Sequence, residues 1–179
     1  FLAYNSYTPN YGLFPRPQLY PAELLAGDVD GNATTELITF SGGGGGSPTT
    51  WSVFCSVPGY PGLSCAIPNG TWLTDFGSPF SVPLVGDWNG DGITTAGLFR
   101  KSSSGFMLRN EHAGGAADKS FFFGPANSGW FPLVGDWDGD GFDTVGFHSG
   151  GGTFFLKNTL TDFKADVHMT FSRQSQFTL

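Results

Sequence analysis

The apolar residues of this chain fall in short runs rich in Val, Phe, Thr and Leu. Gly, Pro, Asn or Ser interrupts these runs about every eight to twelve residues, which is the spacing of short strands and turns. A helix would instead need apolar residues three and four positions apart over a longer segment. The pattern therefore predicts an all-β fold without a long helix.

The runs also repeat along the chain. Residues 104–110 are echoed by residues 152–158, and residues 117–123 by residues 165–171, both 48 positions later. A weaker echo lies within residues 50–76. Self-similarity at a spacing of tens of residues marks a repeat architecture. Each unit is predicted to contain an approach strand, a loop and about three further strands.

These echoes divide the chain into an arm and three repeats. We predict an N-terminal arm over residues 1–21, and repeats over residues 22–77, 78–124 and 125–179, the last with a C-terminal strand. The extra length of the first repeat falls in the glycine tract Gly42–Gly46 and in a segment with both cysteines.

An acidic loop occurs once in each repeat. Its copies are Gly27–Asn32, Gly86–Gly92 and Gly135–Gly141, and their first aspartates are 59 and then 49 positions apart. Oxygen-bearing side chains recur at every second position with glycine between them, which lets a short loop wrap several hard oxygen ligands around one calcium ion. The sequence therefore predicts about three calcium ions, one per loop.

The charge distribution supports a metal in these loops. Fifteen residues are acidic, and eight of them lie in the loops or within two residues of them. These eight are Asp28, Asp30, Asp87, Asp91, Asp136, Asp138, Asp140 and Asp143. The other seven acids are balanced by eight Lys and Arg, so the formal net charge of -7 belongs almost wholly to the loops. Clustered carboxylates repel one another unless a cation neutralises them, and acidic turns without metal are the alternative interpretation.

Other divalent-cation sites fit these residues less well. An EF-hand needs a glutamate at loop position 12, where this chain has Thr39, Leu98 and Phe147. Magnesium prefers few protein ligands in a small octahedral shell. Calcium is therefore the favoured ion.

The third loop, within residues 132–146, carries a family resemblance. Its sequence Pro-Leu-Val-Gly-Asp-Trp-Asp-Gly-Asp-Gly-Phe-Asp-Thr-Val-Gly resembles the FG-GAP and VCBS-like calcium-binding repeats of β-propeller type, especially those of secreted bacterial proteins. Their best-known relatives are the propeller blades of integrin alpha subunits. The resemblance extends over residues 22–172 and implies blades of four antiparallel strands with calcium in the loop between the first two strands.

The resemblance also implies a ligand set for each loop. Positions 1, 3 and 5 would supply side-chain oxygens, position 7 a backbone carbonyl oxygen and position 9 a further carboxylate. These positions hold Asp28, Asp30, Asn32, Thr34 and Glu36 in the first loop, Asp87, Asn89, Asp91, Ile93 and Thr95 in the second, and Asp136, Asp138, Asp140, Phe142 and Thr144 in the third. Only the first loop matches at position 9. Position 9 is a threonine in the other two loops, and Asp143 precedes it in the third. The last ligand of loops two and three therefore stays open.

The many aromatic residues of the chain are predicted to form a packed core and not a binding surface. The chain has 19 Phe, which we assign mainly to packing between sheets. Trp88 and Trp137 occupy loop position 2, where the side chain should point away from the ion. Packing against the neighbouring blade is favoured there, and stacking on sugar rings is the alternative.

The two cysteines and the first residues of the chain favour an extracellular location. Cys55 and Cys65 enclose nine residues in a Pro- and Gly-rich stretch, so a local disulfide is predicted, with buried free thiols as the alternative. The chain opens at Phe1 without a signal peptide or an apolar run long enough to span a membrane, as a processed product would. Asn69 begins a glycosylation sequon in a predicted exposed turn, whereas the sequon at Asn32 uses a loop ligand.

The sequence does not predict an enzyme or a nucleic-acid-binding protein. His112, His148 and His168 are far apart in the repeats, and no serine lies in a nucleophile-elbow motif. The acidic balance and the scarcity of Lys and Arg argue against binding to phosphate or nucleic acid.

The repeat count points to assembly. Propellers close with four to eight blades, so three propeller-like four-stranded antiparallel blades are not expected to form a full ring within one chain. The arm Phe1–Pro21 is aromatic and Pro-rich, and it suits an extended contact with another subunit. Its alternative role is a cap on its own chain. We therefore expect a secreted, calcium-stabilised structural protein, a self-assembling filament or cell-surface subunit, with a carbohydrate-binding or adhesion module as the alternative.

Overall fold

The computed structural model describes residues 23–42, 48–54, 70–78 and 80–171. Within these ranges the chain forms twelve short strands and no helix, as the pattern of short apolar runs predicts. The strands are β1 (Glu23–Gly27), β2 (Glu36–Ser41), β3 (Thr50–Phe54), β4 (Gly70–Thr74), β5 (Ser81–Gly86), β6 (Thr95–Arg100), β7 (Gly105–Leu108), β8 (Lys119–Phe122), β9 (Phe131–Gly135), β10 (Thr144–His148), β11 (Thr153–Leu156) and β12 (Val167–Thr170).

The strands form three antiparallel sheets of four strands each, and we call these sheets blades. Blade 1 has the order β1-β2-β3-β4, blade 2 has the order β5-β6-β7-β8, and blade 3 has the order β9-β10-β11-β12. Consecutive strands are neighbours in every blade, which is the order of an antiparallel meander. None of the three sheets closes on itself. The predicted fold class is therefore confirmed: three open blades that do not form a ring.

The blades pack in chain order through two apolar clusters. The first cluster joins blade 1 to blade 2, and it brings Trp51 and Ile38 of blade 1 together with Leu98 of blade 2. The second cluster joins blade 2 to blade 3, and it centres on Phe106 and Phe147. Side chains alternate across each strand, so one face of blade 2 contacts blade 1 and the other contacts blade 3. The aromatic residues of these clusters are core residues, as the composition predicts.

The first strands of adjacent blades lie next to one another. β1 contacts β5, and β5 contacts β9. Each acidic loop follows the first strand of its blade, so all three loops connect a first strand to a second strand. The stacking of blades thus brings the three loops into one row.

No helix that is long and apolar enough to cross a membrane occurs in the described residues. The predicted arm Phe1–Pro21, the predicted Cys55–Cys65 disulfide and the Asn69 sequon all lie outside those residues.

Candidate metal centres

The first aspartate of each loop anchors the loop backbone. In the third loop, Asp136 Oδ1 accepts hydrogen bonds from the amides of Gly139 at 2.7 Å and Asp140 at 3.2 Å, while Oδ2 accepts one from Gly141 at 2.9 Å. Asp87 accepts the equivalent three bonds in the second loop. Asp28 does so in the first. One carboxylate therefore folds five residues around itself in every repeat.

Glycine at loop position 4 makes this turn possible. Gly31, Gly90 and Gly139 have φ angles of 73°, 72° and 80°. This left-handed region is accessible to glycine at little cost but strained for most other residues. The alternation of oxygen-bearing residues with glycine thus has a conformational reason that holds with or without an ion.

The first loop brings three carboxylates together. Oxygens of Asp28, Asp30 and Glu36 lie within 4.8 Å of one another, and Glu36 is buried. Glu36 Oε2 accepts a hydrogen bond of 3.0 Å from the Val29 amide, which fixes the carboxylate beneath the loop. Thr34 donates its hydroxyl to Asn32 Oδ1 and to Glu36 Oε1. All five predicted ligand residues of this loop therefore lie in one connected cluster.

The third loop forms a second acidic cluster, which is exposed. Oxygens of Asp136, Asp138 and Asp140 lie within 4.8 Å of one another. The amide of Gly141, followed by those of the other loop residues, holds the pKa of Asp136 below its ordinary value, against a smaller opposing effect of desolvation. The side chain is thus stabilised as the anion that a cation needs as a ligand.

The second loop has the same shape but less charge. Asn89 replaces a carboxylate at position 3, and its Nδ2 donates a hydrogen bond of 2.9 Å to Asp91 Oδ2. Asp91 Oδ1 also accepts a 2.9 Å bond from the Ile93 amide. With two carboxylates at positions 1, 3 and 5 instead of three, this loop provides weaker attraction for a divalent cation than the third loop.

The threonines at loop position 9 bond to backbone carbonyls at the ends of strands. Thr95 Oγ1 donates to the carbonyl oxygen of Arg109 at 2.7 Å, with Gly86 O at 3.3 Å. Thr144 Oγ1 donates to the carbonyl oxygen of Lys157 at 2.6 Å, with Gly135 O at 3.2 Å. Both hydroxyls therefore hold strands together, and their role as metal ligands stays a prediction.

Asp143 lies between the second and third loops. Its Oδ2 accepts a 2.8 Å hydrogen bond from the Asp87 amide, and its own amide donates a 2.7 Å bond to Asp87 O. Burial raises the pKa of Asp143; the bond from Asp87 opposes this rise, and the charges of Asp87 and Asp136 add to it. The structure thus gives this residue a role between blades that spacing along the chain did not reveal.

The residues at loop position 7 cover the preceding loop. Phe142 lies over Gly90, where an added Cβ would come within 2.9 Å of the phenyl ring. Ile93 lies in the same way near Gly31, at 3.4 Å from such a Cβ. The predicted use of these two residues is a backbone carbonyl ligand, which leaves the side chains free for this packing.

The tryptophans at loop position 2 differ in burial. Trp88 is buried in the cluster that joins blades 2 and 3, as the packing interpretation predicts. Trp137 occupies the same position in the last blade and is half-buried.

Two buried basic residues were not identified from the sequence. Arg109 and Lys157 occupy equivalent repeat positions at the end of the third strand of their blades. Lys157 Nζ donates a 2.8 Å hydrogen bond to Lys164 O and lies 5.3 Å from the centre of the Phe123 ring. Arg109 bonds to Ala116 O in the same way. The 48-residue echo that aligns them was the available signal.

His112 joins blade 2 to the first loop. Its ring lies 4.6 Å from that of Trp72, and Nε2 donates a 2.7 Å hydrogen bond to Val29 O. Burial lowers the pKa of His112, against the opposing effects of the Val29 bond and the Asp91 charge. Burial beside the loop therefore favours the neutral form of the histidine.

Among the described residues, two acidic clusters could hold a metal ion, one in the first loop and one in the third. Their carboxylate oxygens are hard donors, the kind that calcium and magnesium prefer.

Comparison of the chain with protein-family models, with curated proteins and with solved structures found no match. The resemblance of the loops to FG-GAP and VCBS-like repeats therefore stays a prediction.

Proposed function

We propose that this chain is a calcium-stabilised β-repeat structural protein that acts outside the cell as a subunit of a self-assembling filament or surface layer. The observation that carries the proposal is the stack of three open blades. Leu37 is 43% exposed on blade 1, and Met169 and Phe171 are exposed on blade 3. Repeat proteins normally cover such ends, because apolar faces and sheet edges left in water promote association.

Calcium is the ion that suits the loops best. Each loop offers side-chain oxygens at alternate positions, and calcium accepts six to eight oxygen ligands in flexible geometry, more than magnesium usually takes from protein. The first loop adds the buried Glu36, and the third loop has carboxylates at positions 1, 3 and 5. We expect three ions, with the first and third sites tighter than the second, because affinity follows the charge and rigidity of the ligands.

The proposed role of the ions is to hold the stack together. Each loop joins the first two strands of its blade, and adjacent loops are hydrogen-bonded to one another through Thr94 N to Asp28 O and Asp143 N to Asp87 O. An ion that binds only the folded loops stabilises the fold by mass action. A chelator should therefore lower the melting temperature by many degrees.

Calcium titration with a matched pair of variants tests this role. Asp136→Ala should bind one ion fewer than the unmodified protein in titration calorimetry, because it removes the residue that organises the third loop. Glu111→Ala is the control, since Glu111 is exposed outside the loops. A protein that binds no calcium and melts at the same temperature with and without chelator would contradict the calcium proposal.

Electron microscopy of purified protein in calcium tests assembly. We expect filaments or sheets, and we expect loss of assembly when residues 1–20 are deleted, because we assign the arm Phe1–Pro21 to contact with the next subunit. If the truncated chain unfolds as a monomer, the arm is an internal cap. A stable monomer of the full chain that binds glycans would favour the carbohydrate-binding alternative.

A further inference from the structure

Blade 2 presents a row of cross-strand neighbours to blade 3. The row consists of Val82, Phe99, Phe106 and Phe121, one from each strand, paired in register. Phe99, Phe106 and Phe121 are buried in the cluster that also contains Phe147 of blade 3. Blade 1 presents the equivalent row to blade 2, in which Phe40, Trp51 and Leu73 are likewise buried. The same face of blades 1 and 2 therefore forms one side of each internal junction between blades.

Blade 3 carries the same row on its outer face. Phe131, His148, Phe154 and Met169 are paired in the same register across β9, β10, β11 and β12. Phe131 is 48% exposed and Met169 is 37% exposed, whereas their counterparts in blade 2 are the half-buried Val82 and the buried Phe121. Phe171, which is equivalent to the buried Phe123, is also exposed. The outer face of blade 3 is therefore a junction surface of the kind already used twice within the chain.

The contacts between neighbouring loops also repeat at the two internal junctions. At both internal junctions, the amide at loop position 8 donates to the carbonyl of position 1 in the preceding loop. The side chain at position 7 also lies over the position-4 glycine of that preceding loop. At the third loop, by contrast, an added Cβ on Gly139 would meet no atom within 4 Å. The third loop thus has room for a following loop.

The outer face of blade 1, at the opposite end of the stack, corresponds to the other side of the junction between blades. Leu37 of blade 1 occupies the position held by Ala96 in blade 2 and Val145 in blade 3, as its pairing with Ala26 shows. Ala96 and Val145 are buried against the preceding blade, whereas Leu37 is exposed. Phe54, the cross-strand partner of Leu37, is exposed as well. Thr39 of blade 1 stands where Leu98 and Phe147 pack in the internal junctions. One chain therefore displays both halves of the internal junction at its two ends, with a polar residue at that position of the blade 1 half.

We propose that the outer face of blade 3 binds the outer face of blade 1 of a second copy of this chain, in the geometry of the two internal junctions. The inference rests on the proposed self-association and assigns it to blade-on-blade contact. Such a contact is head-to-tail, so it closes a ring or propagates a filament. Two copies supply six blades, which lies within the range of about four to eight at which propellers close.

Three substitutions at exposed positions test the junction. Leu37→Asp alters only the blade 1 face, Met169→Asp alters only the blade 3 face, and Phe80→Asp is a control at an exposed phenylalanine outside both faces. Molar mass is measured by light scattering over a range of protein concentrations in saturating calcium. We expect self-association to be at least tenfold weaker for each face variant. The control should self-associate as strongly as the unmodified protein. Calcium stoichiometry checks that every variant is folded.

A mixture of the two face variants gives the decisive result. The Leu37→Asp chain keeps an intact blade 3 face, and the Met169→Asp chain keeps an intact blade 1 face. The mixture should therefore form a one-to-one dimer that grows no further, although each variant alone remains monomeric. A monomeric unmodified protein, face variants that assemble normally, or a mixture that stays monomeric would overturn the inference.

The assembly formed also separates this inference from the filament proposal. A closed ring of two copies that both face variants disrupt supports the junction and contradicts the filament. Filaments that need residues 1–20 but tolerate both face variants support the filament and overturn the junction.

Discussion

Phe147 is the side chain on which the contact between blades 2 and 3 depends most. It is 1% exposed, and its ring centre lies 5.1 Å from that of Phe99, 5.6 Å from Phe106, 5.3 Å from Phe123 and 5.9 Å from Trp130. Replacement by alanine leaves a cavity among four aromatic rings, which cannot collapse to fill it without moving whole strands.

The size of the effect follows from this burial. Phe→Ala in a packed core costs about 3–5 kcal/mol of unfolding free energy. For a chain of this length, each kcal/mol corresponds to about 2–4 °C, so we expect Phe147→Ala to lower the melting temperature by about 6–20 °C. Phe147→Leu should cost less, roughly 1–2 kcal/mol, because Leu98 occupies the same position in blade 2.

Thermal and denaturant unfolding in saturating calcium measure the loss. Phe163→Ala is the matched control, because this side chain is 80% exposed and its removal should change stability by about 0.5 kcal/mol at most. If Phe147→Ala and Phe163→Ala melt within a few degrees of one another, the second cluster does not hold blades 2 and 3 together. The assignment of the junction surfaces would then fail with it.

Two further predictions concern contacts beside the loops. Asp143→Ala should destabilise the protein by about 1–3 kcal/mol in denaturant unfolding, because the Asp87 amide loses its partner, whereas Asp143→Asn keeps an acceptor and should cost less. Equal losses in the two variants would mean that the charge of Asp143 matters and the hydrogen bond does not. The folded-state pKa of His112 is lowered from 6.5, so the unfolded chain takes up a proton first and stability should fall as pH drops below about 6.5. His112→Asn should flatten that fall relative to the unmodified protein, and an unchanged pH profile would refute the assignment.

The fold was predictable because the signal for it is periodic. Each acidic loop, such as the one at Asp87, recurs at a fixed place after an apolar run, so the loops mark the first turn of every blade. The echoes at Phe106 and Phe154 then align the later strands. Several short strands within one repeat then favour antiparallel pairing of consecutive strands.

The details of the sites were less predictable, because spacing along a chain does not show which loop a side chain faces. Asp143 is adjacent to its own loop in sequence, but its carboxylate bonds to the Asp87 amide of the preceding one. Thr95 and Thr144 occupy a ligand position of the repeat, but their hydroxyls are bonded to carbonyls of the third strand. The contact of Asp143 depends on packing between repeats, and the contacts of the two threonines depend on packing between strands of one blade. Spacing along the chain shows neither.

The identity of the two internal junctions has a consequence for how such a chain can change its length. The apolar rows and the backbone hydrogen bonds between loops that join one blade to the next come from positions that each repeat carries for itself, such as Phe106 on one side and Phe147 on the other. A duplicated segment of 48 or 49 residues would therefore bring both surfaces with it and could be inserted between existing blades without new complementary mutations. The number of blades is in this sense a variable that recombination can alter in single steps, while the junction itself stays unchanged.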